Sequence, residues 1–374
     1  MKNSFYSILS FALLSVLAIT FSACEKDSDG EEEEKEYDVY VAGFESSGSN
    51  DVAKLWKNGE AQYAGGGLTD GTNHVRAYSV YVSGNDVYAA GFEYDGSKYM
   101  AKLWKNGVAQ YVGGKLTDGT NSAYAYSVYV SGNDVYVAGR EYNGNKYVAK
   151  LWKNGVAQYG GGLTSGTNNA EARSVYVSGK DVYVAGWESN GYWDVAKLWK
   201  NGEAQYTNGG LTNGKNHAHA YSVYVSGKDV YVAGYEENGS SNDVAKLWKN
   251  GEAQYAGGGL TDGTRHAVAR SVHVSGNDVY VVGDEYNGTW NVAKLWKNGE
   301  AQYTGGGLTD GTYHAGARSV YVSGNDVYVA GFESNGSRNV VKLWKNGEAQ
   351  YPEGRLTSGA NSAEPRSVFV APRN

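Results

Sequence analysis

The chain has 374 residues, with 53 Gly, 33 Tyr and 10 Trp against 3 Pro and 2 Met, and a net charge of −7. That composition suits short strands and tight turns rather than a helical body. Residues 25–36 carry −6 of the charge and Lys2 carries +1, which leaves the remainder at −2. A body so near neutral lacks the basic footprint that phosphate backbones demand, so nucleic acid is excluded as a partner. The single Cys24 excludes an intrachain disulfide.

The chain opens with Lys2, an apolar run from Ile8 to Phe21, and Ser22-Ala23-Cys24. The run is too short and too serine-rich for a membrane span, and it reads as a secretory signal peptide over residues 1–23. Its end resembles a bacterial lipobox, with Phe21 where leucine is usual. The resemblance implies cleavage before Cys24 and a diacylglyceryl group on its sulfur, so the membrane is met through a lipid anchor only. Residues 24–37 are mostly acidic and read as a solvated tether. Acids placed directly after such a cysteine also resemble the surface-export signal of lipoproteins in the Bacteroides group.

Residues 38–374 are one unit written seven times. Leu-Trp-Lys-Asn-Gly recurs with its tryptophan at Trp56, Trp104, Trp152, Trp199, Trp248, Trp296 and Trp344, at spacings of 47 to 49 residues. A fixed period of this size marks a repeat architecture. In the last full copy, strand a is expected over Ser319 to Val322 and strand b over Val327 to Glu333. Strand c follows over Asn339 to Trp344 and a short polar strand d over Glu348 to Tyr351. An Asn-Gly pair closes the c–d hairpin, and a Gly-rich crossover leads to the next strand a.

Strand b decides the architecture. In Val39-Tyr-Val-Ala-Gly-Phe44 both alternating faces are apolar, so the sheet is covered on both sides. Four-stranded sheets stacked face to face around an axis make a β-propeller. The repeat body begins with a strand b and ends with a strand a, Ser367 to Val370, which completes the first sheet. An open solenoid would instead need atypical capping repeats. The fold expected is all-β: a seven-bladed β-propeller of four-stranded antiparallel blades, closed by the C-terminal strand.

Chain direction puts the a–b and c–d turns on a lower face and the b–c loops and d–a crossovers on an upper face. The lower turns barely vary between copies, whereas the upper loops vary most. Trp193, Trp290, Tyr99, Tyr147 and Tyr192 are therefore candidate exposed aromatics. His74, His217, His266 and His314 share one crossover position. Directly before strand a, one position holds only Tyr or Arg: Tyr78, Tyr126, Arg173, Tyr221, Arg270, Arg318 and Arg366. With strand a innermost, these seven ring the upper mouth of the central channel. They either brace adjacent blades or offer flat apolar area and forked donors to a sugar or an anionic group.

Other repeated residues read as structural. The seven strand-c tryptophans suit packing between blades. Seven glutamates that end strand b, such as Glu45, face seven strand-c lysines, such as Lys54, and are expected to form ion pairs. Gly43 and its equivalents are expected to leave room for the lysine stems. Sevenfold equivalence speaks against paired catalytic carboxylates, which need unlike environments. Thr-Asp-Gly at Asp70, Asp118, Asp262 and Asp310 suits a turn better than a calcium loop. No metal or cofactor is expected.

The body resembles seven-bladed propellers as a class, without the Trp-Asp signature of WD40 repeats, the kelch double glycine or the sialidase Asp box. Its repeat length and aromatic blades are similar in outline to tachylectin-type lectins, with no sugar-binding motif to carry over. Together with its N-terminus, the chain resembles an outer-membrane lipoprotein of the Bacteroidetes. The function expected is a monomeric, non-enzymatic binding module on the cell surface that holds a glycan or an envelope protein on its upper face. A periplasm-facing scaffold of an outer-membrane complex is the alternative, and a hydrolase the last choice.

Overall fold

The computed structural model describes residues 36–373 apart from 64–66, 70, 207, 208, 352 and 354. The expected signal peptide, Cys24 and most of the acidic tether lie outside the described residues. From Glu36 onward the chain is all-β, with seven four-stranded antiparallel sheets arranged in a ring. Blade 1 draws on both ends of the chain. Its innermost strand a is Ala363–Pro372, paired to strand b Tyr37–Ser47, then strand c Asn50–Lys57 and strand d Glu60–Ala61. Blades 2 to 7 are each contiguous, with innermost strands Val75–Ser83, Ala123–Ser131, Ala170–Ser178, Ala218–Ser226, Ala267–Ser275 and Ala315–Ser323. The C-terminal strand packs against the inner strands of both blade 7 and blade 2, which closes the circle.

The two apolar faces of strand b feed two different cores. Tyr40 and Ala42 pack with Val80, Val82 and Trp104 of blade 2. Val39 and Val41 pack on the other side with Tyr328, Ala330 and Leu343 of blade 7. Each strand-c tryptophan sits in one of these shared layers and is at most 3% exposed. Burying an indole of this size stabilises the stack by several kcal/mol, on the order of 3–5.

The rest of the Leu-Trp-Lys-Asn-Gly motif builds the lower face. Asn58 and its six equivalents have φ of 50–52°, and the following glycines 81–88°. Two consecutive residues with positive φ make the type I′ turn that matches strand twist. The Asn58 side chain accepts a hydrogen bond from the Val39 N–H at 2.8 Å and donates to Asp38 at 2.8 Å. Lys57 meets the same Asp38 at 2.7 Å. These three contacts recur in all seven blades. Lys105 and Asn106 hold the Asp86 carboxyl below the usual carboxylate range.

The expected Glu–Lys pairs form in every blade, at 2.7–3.6 Å. The invariant glycine of strand b has a different cause from the one expected. Gly43 does lie opposite Lys54. However, a Cβ at Gly43 would collide with the backbone of the inner strand, at the Glu364 carbonyl oxygen. Gly91, Gly139, Gly186, Gly234, Gly283 and Gly331 face the same obstruction in their own blades. The backbone comes so close because strand a bulges at this point.

Candidate functional site

Strand a is longer than the sequence suggested and takes in the Tyr/Arg position. In every blade its register against strand b shifts there. Ala77 pairs with Gly91 and Ser79 with Ala90, so Tyr78 is the extra residue. The other six shifts omit Tyr126, Arg173, Tyr221, Arg270, Arg318 and Arg366 in the same way. A bulge re-aims the side chain of its extra residue. Here it turns all seven toward the axis, where together they line a cavity of about 150 Å³. The expected ring of the channel mouth is thus present.

The ring is not symmetric. Tyr78 and Tyr126 meet edge to face at 5.3 Å and form an aromatic wall, extended by Tyr124, which stacks on Tyr126. Arg270, Arg318 and Arg366 follow one another on blades 6, 7 and 1, and Arg366 closes the run over the Tyr78 ring at 5.4 Å. Asp284 takes Arg318 at 2.8 Å and Arg270 at 3.5 Å, and Glu364 takes Arg366 at 2.9 Å. Glu171, only 2% exposed, is shared by Arg173 and Arg140. Burial works against the Arg173 cation, yet Glu171 holds its pKa above the ordinary arginine value. Arg318 goes the other way. Burial and the neighbouring Arg270 push it down to about 10 against the pull of Asp284.

Three residues further along strand a, roughly 10 Å down the channel, lies an element not foreseen from the sequence. Tyr81, Tyr129, Tyr176, Tyr224, His273, Tyr321 and Phe369 form a closed belt with ring centroids 4.7–4.9 Å apart. Burial pushes the hydroxyls of Tyr176 and Tyr321 up to about 12 and the His273 imidazole down to about 4. Between ring and belt runs a second circuit. The Ser79 hydroxyl accepts the Val128 N–H of the next blade at 3.1 Å. The equivalent serine does so at every other junction, including the closing bonds Ser319 to Val368 and Ser367 to Val80.

On the upper rim Trp193, Trp290 and Tyr192 are exposed, as expected, at 39%, 45% and 87%. Tyr99 and Tyr147 are not. Tyr99 stacks on Tyr124 at 5.0 Å and Tyr147 lies under the Arg140 guanidinium at 4.0 Å, so both are half-buried in the aromatic sector. The four crossover histidines do not converge. His74, His217 and His266 each turn Nδ1 back to accept an N–H at the start of the preceding strand c, from Asp51, Asp194 and Asp243, at 3.1–3.2 Å. Ser122 and Asn169 make the same bond in their copies. His217 also meets Trp193 edge to face at 5.0 Å, and His314 packs on Phe332. Among the described residues no group of three or more His, Cys, Asp or Glu is placed to hold a metal ion.

Larger pockets repeat beneath the rim. One of about 300 Å³ in blade 4 is lined by Glu188, Asn190, Lys197 and Thr212, and one of about 230 Å³ in blade 6 by the equivalent Glu285, Asn287, Lys294 and Thr309. The buried hydroxyls of Thr69, Thr117, Thr164, Thr212, Thr261 and Thr309 have no hydrogen-bond partner. Neither do Nε of Arg140, Arg173, Arg318 and Arg366, nor the Trp187 indole N–H. All of these atoms belong to the upper half of the ring.

Sequence reading missed the acids that brace the arginines. The signal lay two residues before the ring position, where the copies read Arg76, Tyr124, Glu171, His219, Val268, Gly316 and Glu364. Nowhere else in strand a do the copies differ so widely in chemistry. The chain matches no protein-family model, and no curated protein is detectably similar to it.

Proposed function

We propose that the protein is a non-enzymatic binding module of the cell envelope, lipid-anchored at Cys24, exposed at the outer-membrane surface and monomeric. In this reading it holds a glycan or an envelope protein on its upper face. The observation that carries this is the difference between the two faces. On the lower face the repeated Asp, Lys and Asn side chains satisfy one another in every blade. On the upper face stand the exposed Trp193 and Trp290, the arginine ring and the buried polar atoms without partners. Unsatisfied buried polar groups are costly and call for an explanation, and a ligand supplies one. Exposed tryptophans surrounded by polar loops suit recognition of a sugar or protein surface. The upper Glu–Lys pairs are seven equivalents, which supports binding over acid–base catalysis.

A glycan array and an envelope pull-down with the wild type and with a Trp193→Ala, Trp290→Ala, Arg270→Ala triple variant test the reading. The expected result is a signal that the triple variant abolishes. A stable co-purifying membrane protein with no glycan signal supports the scaffold role instead, and turnover of a polysaccharide or peptide overturns the non-enzymatic reading. Digestion by protease added to intact cells tests surface exposure.

A further inference from the structure

Resting on that reading of the upper face, we infer that the channel mouth is a site for a single carboxylated sugar residue, a uronate. Size sets the first limit. The cavity is about 150 Å³, below the range of about 300 Å³ and up that drug-sized ligands fill. It takes one monosaccharide-sized group and no longer segment.

Charge sets the second. Five guanidiniums, those of Arg140, Arg173, Arg270, Arg318 and Arg366, share three carboxylates, Glu171, Asp284 and Glu364. The buried atoms of the arc without a hydrogen-bond partner are three donors, Nε of Arg173, Arg318 and Arg366, and one acceptor, Glu171 Oε2, which already stands in an ion pair with Arg173. Donors in excess, on planar forks, are complementary to a planar acceptor that carries negative charge. One carboxylate meets that need. A phosphate dianion would bring more charge against Asp284 and Glu364, which already stand in the same arc.

The third limit is the opposite wall. Tyr78 and Tyr126, on blades 2 and 3, present flat apolar rings across the mouth from Arg270 and Arg318 on blades 6 and 7, while Arg366 of blade 1 lies over the Tyr78 ring at 5.4 Å. A pyranose ring can lay its C–H face on such a wall while its carboxylate reaches the arginines. The bare carboxylate of a simple acid has nothing to place there. Gly316 belongs to the same arrangement, since a Cβ on it would run into the Arg318 guanidinium and the Phe332 ring.

Calorimetric titration of the full-length protein with glucuronate, galacturonate, glucose, galactose, glucose 6-phosphate and acetate tests this. Both uronates should bind at least roughly tenfold more tightly than the neutral hexoses, the phosphate and acetate, and their binding should weaken as salt rises. Arg318→Met and Arg366→Lys should each lower uronate affinity roughly tenfold, the second while keeping its charge, because the fork is lost. Lys180→Ala, in a lower turn, should leave it unchanged, and thermal melts of each variant report folding. Equal binding of neutral and acidic hexoses, acetate or phosphate as tight as the uronates, or unchanged uronate binding by folded Arg366→Lys each overturn the assignment. Array binding that depends on Trp193 and Trp290 but not on Arg318 also overturns it, while leaving the binding-module reading intact.

Discussion

The lower and upper faces are built from the same seven repeats, and they differ in how completely each residue's chemistry is used up within its own blade. Below, one short motif closes on itself. Trp56 packs between blades, Lys57 pairs with Asp38, Asn58 clamps Asp38 and the Val39 N–H, and Gly59 finishes the turn. Nothing in that set can change alone. Above, the bulge sets a side chain at the axis without dictating which one, and seven copies hold three tyrosines and four arginines. A repeat can thus hold its geometry fixed at one end and vary its chemistry at the other. Loss of the lower and inner contacts should therefore cost stability, and loss of the upper ones should cost binding.

The largest effect should come from opening the ring. Deleting residues 363–374 removes the inner strand of blade 1, with Val368 and Val370 at 4% and 2% exposure, and the serine bonds at both junctions. Circular dichroism should show no cooperative melt. A truncated chain that melts like the parent would mean closure does not hold the stack. Next in size is Trp199→Ala, which hollows the layer shared by blades 3 and 4 and should cost on the order of 3–5 kcal/mol in denaturant titrations.

The aromatic belt gives a pH-dependent case. His273 sits between Tyr224 and Tyr321, and burial holds its pKa at about 4. The unfolded chain takes up the proton near pH 6.5, so stability is full above that value and falls as pH drops toward about 4, by about 3 kcal/mol at the end. His273→Phe should flatten the melting temperature across that window. An unchanged slope in the variant would place the acid sensitivity in groups other than His273; the Asp–Lys pairs do not supply it, because their depressed carboxyls release their contribution only below about pH 4. Smaller again is Asn154→Ala. It removes the clamp on Asp134 and the Val135 N–H and puts Ala at a positive φ, a loss of about 2 kcal/mol.

These contrasts also explain what could be read in advance. The period, the two apolar faces of Val39 to Phe44 and the split first blade carry the architecture, because burial and closure follow from residue type and order alone. The Tyr/Arg ring was legible as a position used by only two residue types. Its charge asymmetry was not, because Asp284 lies on a neighbouring strand and reaches Arg318 of the next blade. The bulge hid behind an ordinary alternation. The glycine that betrays it, Gly91, was read as space for a lysine when it is the point where two backbones nearly touch. The half-burial of Tyr99 and Tyr147 was hidden for a similar reason, since Tyr124 and Arg140, which cover them, come from other strands.

The same difference appears within one strand and the loop before it. Trp290 and Trp296 are six residues apart, one 45% exposed on the rim and the other 2% exposed between blades. Trp290→Ala removes little buried surface, and its backbone N–H is already held by Asn287 at 2.9 Å, so stability should fall by less than about 0.5 kcal/mol. Trp296→Ala should behave like Trp199→Ala. If the rim loops serve recognition, Trp290→Ala must weaken ligand capture on the array while its melt overlays the wild type. If it destabilises the protein as much as Trp296→Ala does, the upper loops are part of the scaffold and their variation between copies needs another cause.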